Sequence, residues 1–137
     1  MADNPLLQFL PLHVLIVEDD MFMAELAADH FRSLGMTVSQ AANGKEALAM
    51  MEQQMPGLVL CDRLMPEMSG AELLENVRAR GADWQQMVFI FVTGLSGHRD
   101  RHAMLDLGPD GYICKPVDFA VADHDIARAI TRKRQEA

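Results

Sequence analysis

Six residues of this chain have side chains suited to group transfer, and each stands where a short apolar run ends. Glu18, Asp19 and Asp20 follow HVLIV, Asp62 follows LVLC, Thr93 follows VFIFV and Lys115 follows GYIC. Crowded carboxylates repel and raise one another's pKa unless a cation neutralises them. A hard divalent ion, Mg2+ or else Mn2+, does this through a few oxygen ligands and keeps room for water and substrate oxygens. Asp62 is then a carboxylate nucleophile toward a phosphoryl donor, giving an acyl phosphate. The Lys115 ammonium and the Thr93 hydroxyl would stabilise the charge that spreads over the transferred oxygens. Taken singly, each residue has an ordinary reading. Acids after a strand cap helices, as Asp20 would for the first helix; a Lys before Pro is a solvated turn; a Thr ending a strand reflects β propensity.

What gives the set meaning is the element pattern that must position it. Five runs, His13 to Val17, Thr37 to Ala41, Leu58 to Cys61, Val88 to Val92 and Gly111 to Cys114, alternate with helical stretches. That alternation specifies an α/β fold, a doubly wound five-stranded parallel sheet with helices on both faces. In such sheets ligands collect beyond the carboxyl ends of the strands. With strand order 2-1-3-4-5, the first and third strands are neighbours and their acids converge.

Five helices are expected. In the first, Met23, Leu26, Ala27, His30 and Leu34 recur at helical spacing to form a core face, and Gly35 stops it. His30 on that face is read as a packed, hydrogen-bonded histidine rather than a metal ligand. Asn43 to Glu46 and Ser69 to Glu72 open the second and third with capping patterns, and the second ends before Pro56. A fourth helix is expected over His98 to Leu107 and a fifth from Phe119 toward Lys133, capped by Asp118.

At 137 residues, half of them apolar, the chain fits one domain. Residues 1–12 form an N-terminal extension and 13–137 the domain. A formal net charge of −8 argues against direct nucleic-acid binding. The basic cluster Arg128, Arg132, Lys133 and Arg134 is explained by the helix macrodipole. Cys61 and Cys114 read as reduced thiols of a cytoplasmic protein. The opening MADNPLLQFLPL matches neither a secretory signal nor a membrane span, and is expected to be loose or packed on the domain's own surface.

The runs VLIVEDD, LVLCDRLMPEMSG, FIFVTG and YICKP, in that order, resemble the response-regulator receiver domains of two-component systems from His13 onward. The resemblance implies a flavodoxin-like receiver fold and phosphorelay signalling rather than enzymatic turnover. Glu18 and Asp19 would be the acidic pair, Asp62 the phosphoacceptor, Thr93 the switch residue and Lys115 the phosphoryl contact. Asp19, Asp62 and the Leu64 backbone carbonyl would hold Mg2+. It further implies a rotating aromatic at Tyr112, a cis Lys115-Pro116 bond, room for the phosphoryl group at Gly94, and a loop shaped by Pro66 and Gly70. The phosphoryl donor would be a sensor histidine kinase or a histidine phosphotransfer protein. An unidentified downstream protein would read the helix over 98–107, the fifth strand and the fifth helix, with His98, Arg101, His102, Tyr112 and Asp123 as candidate contacts.

Leu64 and Leu95 are apolar where many relatives carry polar side chains, which predicts slow loss of phosphate. Arg63 is read as a solvated loop charge. Two rivals remain. One is a receiver-fold interaction module independent of phosphorylation, although such modules usually lose part of the acidic and lysine set. The other is a haloacid-dehalogenase-like phosphohydrolase, whose DxD pattern Asp62-Arg63-Leu64 lacks. The chain resembles a stand-alone regulator, or equally a receiver excised from a larger protein.

Overall fold

The computed structural model describes residues 3–65, 67–94 and 107–136. Five strands, β1 (His13–Val17), β2 (Thr37–Ala41), β3 (Leu58–Asp62), β4 (Val88–Thr93) and β5 (Gly111–Cys114), form one parallel sheet in the order β2-β1-β3-β4-β5. Strand side chains alternate between faces, so each β-branched run feeds two cores at once. Val14, Ile16, Leu58, Leu60, Val88, Ile90 and Ile113 point to one face, while Leu15, Val17, Val59, Cys61, Phe89 and Phe91 point to the other.

The described residues contain five α-helices: α1 (Met21–Ser33), α2 (Gly44–Gln53), α3 (Gly70–Arg78), the single turn α4 (Ala82–Gln85) and α5 (Phe119–Glu136). Helices α1 and α5 cover the first face, and α2 and α3 the second. The caps follow the sequence. Asp20 accepts from the Phe22 and Met23 amides, Asn43 from the Glu46 amide, and Ser69 forms a reciprocal capping box with Glu72. Asp118 Oδ1 accepts from the Ala120 amide at the start of α5. The helix expected over 98–107 lies outside the described residues, apart from Leu107 in a turn.

The core face of α1 differs from the sequence expectation. Its buried stripe is Ala24, Ala28 and Phe31, whereas Met23, Ala27, His30 and Leu34 are half-buried and Leu26 is 45% exposed. Nearly every position from Met21 to Ala28 is apolar, so periodicity gives a helix without fixing its rotation.

The N-terminal segment belongs to the core. A 3-10 helix over Pro5–Phe9 is capped by Asn4, and Leu6, Phe9 and Leu12 are buried with the α1 and α5 side chains. The Asn4 amide nitrogen donates to Asp123 Oδ2 at 2.9 Å, and His30 Nε2 meets the same oxygen at 2.8 Å. Asp123 is therefore a buried bridge, 2% exposed, and not the surface contact expected from sequence. A carboxylate at this depth is stable only with hydrogen-bonding partners, and those come from the N-terminal segment and α1. His30 stacks on Phe119 at 4.3 Å, in keeping with a packed histidine.

The basic cluster at the end of α5 is held by particular partners. Lys133 Nζ lies 3.2 Å from Asp110 Oδ1, the Arg132 guanidinium donates to the Asp110 carbonyl, and Arg134 lies over the Phe9 ring. Arg78 and the Phe89 amide also donate to Asp110, each at 2.8 Å, so one acid joins α3, β4 and α5 at the sheet end away from the strand-end acids.

Candidate functional site

Parallel register brings the strand-end residues together. Val17 pairs with Cys61, so Glu18 and Asp62, each one residue further, stand side by side at the carboxyl edge. Asp62 pairs with Val92 and Thr93 with Cys114, which sets Thr93 and then Lys115 along the same edge. The Lys115 amide donates to the Thr93 carbonyl at 2.8 Å, continuing the ladder into the loop after β5. Its Nζ then reaches back to Glu18 Oε1 at 2.7 Å and Asp62 Oδ2 at 3.2 Å.

Glu18, Asp19 and Asp62 each offer a carboxylate oxygen, and these oxygens lie within 4.8 Å of one another. Glu18 is buried, Asp62 half-buried and Asp19 exposed, so the cluster grades from the interior to solvent. The donor set, all hard oxygen, fits a divalent cation such as Mg2+. Asp20 faces away as the α1 cap, with its amide 3.2 Å from Glu18 Oε2.

Burial raises the Glu18 carboxyl pKa, and the Lys115 hydrogen bond only partly offsets this. For Lys115, burial acts to lower the pKa, but the Glu18 hydrogen bond and the charges of Asp62 and Glu18 outweigh it and push it up. Lys115 is thus a fixed cation at neutral pH. Burial, followed by the charges of Asp62 and Glu18, drives the Cys61 thiol well above its ordinary range, which makes it an inert neighbour.

Gly70 explains how the acceptor strand meets α3. A Cβ there would lie 2.4 Å from the Asp62 carbonyl oxygen and 2.9 Å from Arg63 Cα, and the Gly70 amide donates to the Arg63 carbonyl at 2.8 Å. The Leu64 amide approaches Asp62 Oδ1 at 3.3 Å, while the Leu64 side chain is 62% exposed. At Gly94 an added Cβ would meet nothing within 4 Å among the described residues. Thr93 is buried, and Tyr112 is half-buried against the second core. The Lys115-Pro116 peptide is cis, as is Leu10-Pro11. Pro66, Leu95, His98, Arg101 and His102 lie outside the described residues.

A family model for the response regulator receiver domain matches residues 14–127. The chain belongs to this family. A CheY-like receiver domain protein of Methanospirillum hungatei superposes with a TM-score of 0.81 at 30% identity, covering 93% of this chain and 99% of that one. The signal receiver domain of a histidine kinase from Syntrophus aciditrophicus gives 0.80 at 30% identity, covering 88% and 91%. Among curated proteins, the Regulator of RpoS of Escherichia coli K12 is 36% identical over 104 residues, 76% of this chain and 30% of that protein. This receiver domain spans between 30% and 54% of the curated regulators named among its relatives. Among its described residues, no helix is long and apolar enough to cross a membrane.

The buried bridge at Asp123 and the hub at Asp110 escaped sequence reasoning. Their partners lie 119 and 93 residues away for Asp123, and 32 and 23 away for Asp110, so no local pattern announces them.

Proposed function

We propose that Asp62 is the phosphoacceptor of this receiver domain, served by Glu18, Asp19, Thr93 and Lys115. The observation that carries the reading is one ammonium, Lys115 Nζ, bonded to both Glu18 and Asp62 beside three carboxylates that share a single point. An Asp62 oxygen attacks phosphorus, the bond from phosphorus to the donor's leaving group breaks, and an acyl phosphate remains. Lys115 neutralises charge on the acceptor and then on the transferred oxygens. Asp19 and Asp62, with Glu18 and the Leu64 carbonyl, would hold Mg2+, and the ion when bound supplies charge stabilisation to the phosphoryl oxygens.

Thr93 and Tyr112 form the proposed switch. The Thr93 hydroxyl is drawn toward the phosphoryl group, the backbone after it moves with it, and Tyr112 follows. The signal is read by a protein partner on a surface that includes β5 and α5. A histidine kinase or a phosphotransfer protein is the donor, in keeping with a fold that also serves as the receiver part of a histidine kinase in Syntrophus aciditrophicus.

The test is intact mass after incubation with Mg2+ and acetyl phosphate. One metal-dependent phosphoryl adduct is expected in the parent and none in Asp62→Asn. A folded parent that binds Mg2+ and gains no adduct would favour a module that works without phosphorylation.

A further inference from the structure

A cavity of about 230 Å3 runs between α1 and α5 up to the carboxylate site, and neither phosphoryl transfer nor the proposed switch uses its apolar part. Met23, Leu26 and Ala27 of α1 wall it on one side, and Phe119, Ala122 and Ile126 of α5 on the other. Its cause is in the sequence. Helices pack by interlocking large side chains, and alanines at 27 and 122 leave their share of that space unfilled. Beside it, the Asn4, Asp123 and His30 bridge ties α1 to α5.

Among the described residues, the polar side chains that line the cavity are Glu18, Asp62 and Lys115, all at one end. Two carboxylates against one ammonium leave that end negative, and exposed Asp19 adds to it. Apolar cavities of about 150 Å3 already hold a single aromatic ring. This volume takes a ring with a short chain, and the charged end selects the sign of what the chain carries.

We propose that the cavity binds a compact organic cation, a single-ring or short-chain amine, with its apolar part between α1 and α5 and its ammonium at the Glu18, Asp19 and Asp62 carboxylates, whose combined charge Lys115 only partly offsets. Binding does not depend on the phosphoacceptor reading; its consequence, competition with a divalent cation and hindrance of phosphorylation, rests on that reading. Receiver output would then respond to a small molecule as well as to a phosphoryl donor.

The experiment is titration of the full chain with 2-phenylethylamine, without divalent metal, followed by amide chemical shifts. 2-Phenylethanol and phenylacetate serve as neutral and anionic counterparts. Saturable binding is expected, with shifts on α1, α5 and the strand ends, and affinity for the amine about tenfold above that for the acid. Mg2+ should weaken it. Ala122→Leu and, separately, Ala27→Leu should abolish binding while keeping the parent's circular dichroism. If a variant does not fold, the parent's shift map still decides. Shifts elsewhere on the molecule, equal affinity for amine and acid, undiminished binding in a folded filled variant, or no saturation would each overturn the proposal. Amine binding in a parent that gains no phosphoryl adduct would uphold the cavity site and sink only the phosphoacceptor reading.

Discussion

At the residue scale, Asp62 is flanked by groups of opposite character. Lys115 holds one carboxylate oxygen, while Leu64 presents an exposed apolar side chain on the other flank. An apolar side chain on that flank disfavours water beside the proposed acyl phosphate, so Leu64→Asn should lose phosphate faster than the parent when acyl-phosphate decay is followed. Equal decay would remove any role for Leu64 in phosphate lifetime. His13 offers a pH test away from the site. Burial lowers its pKa, and its Nε2 lies 2.8 Å from the Ser39 hydroxyl. The folded state then binds fewer protons than the unfolded state, so this contribution is fully present above about pH 6.5 and is lost as pH falls through the folded value. Denaturant unfolding at pH 7 and pH 5 should show a smaller loss in His13→Gln than in the parent. Glu18, Asp62, Thr93 and Lys115 could be picked out from sequence because each closes an apolar run. Asp123 could not, because a lone acid in an amphipathic helix looks solvated until its distant partners are placed.

At the element scale, β3 and α3 meet without room for a side chain. Gly70→Ala must move either the Asp62 carbonyl or the helix start, and overpacking of this kind costs about 1–3 kcal/mol. Both a lowered urea midpoint and a reduced phosphoryl yield are expected. An unchanged midpoint would mean that the contact relaxes freely. The strands were legible almost residue by residue, since β-branched runs between turn signals leave few alternatives. The rotation of α1 was not, because its first turns are apolar all round. The α4 turn escaped as well. Four residues carry no periodicity, and its Trp84 packs against the second core, with Arg80 4.9 Å above the ring.

At the scale of the whole molecule, the buried core extends beyond residues 14–127 that match the family. The segment before β1 adds Leu6 and Phe9 to the face shared by α1 and α5. Leu6 is fully buried, so Leu6→Ala should cost about 2–5 kcal/mol in urea unfolding. A loose segment would show no loss. Sequence alone left looseness and packing side by side, because a short Pro-flanked apolar stretch has no period. Burial decides between them. Asn4, Asp123 and His30 then join this segment to two helices that frame the carboxylate edge.

The proposed chemistry puts the phosphoryl group on Asp62. Borohydride reduction of the acetyl-phosphate-treated protein, followed by peptide mass mapping, converts an aspartyl phosphate to homoserine and so marks its position. Homoserine at position 62, dependent on Mg2+, is the expected result. Homoserine at another acid, or none in a protein that carries the phosphoryl mass, would contradict it.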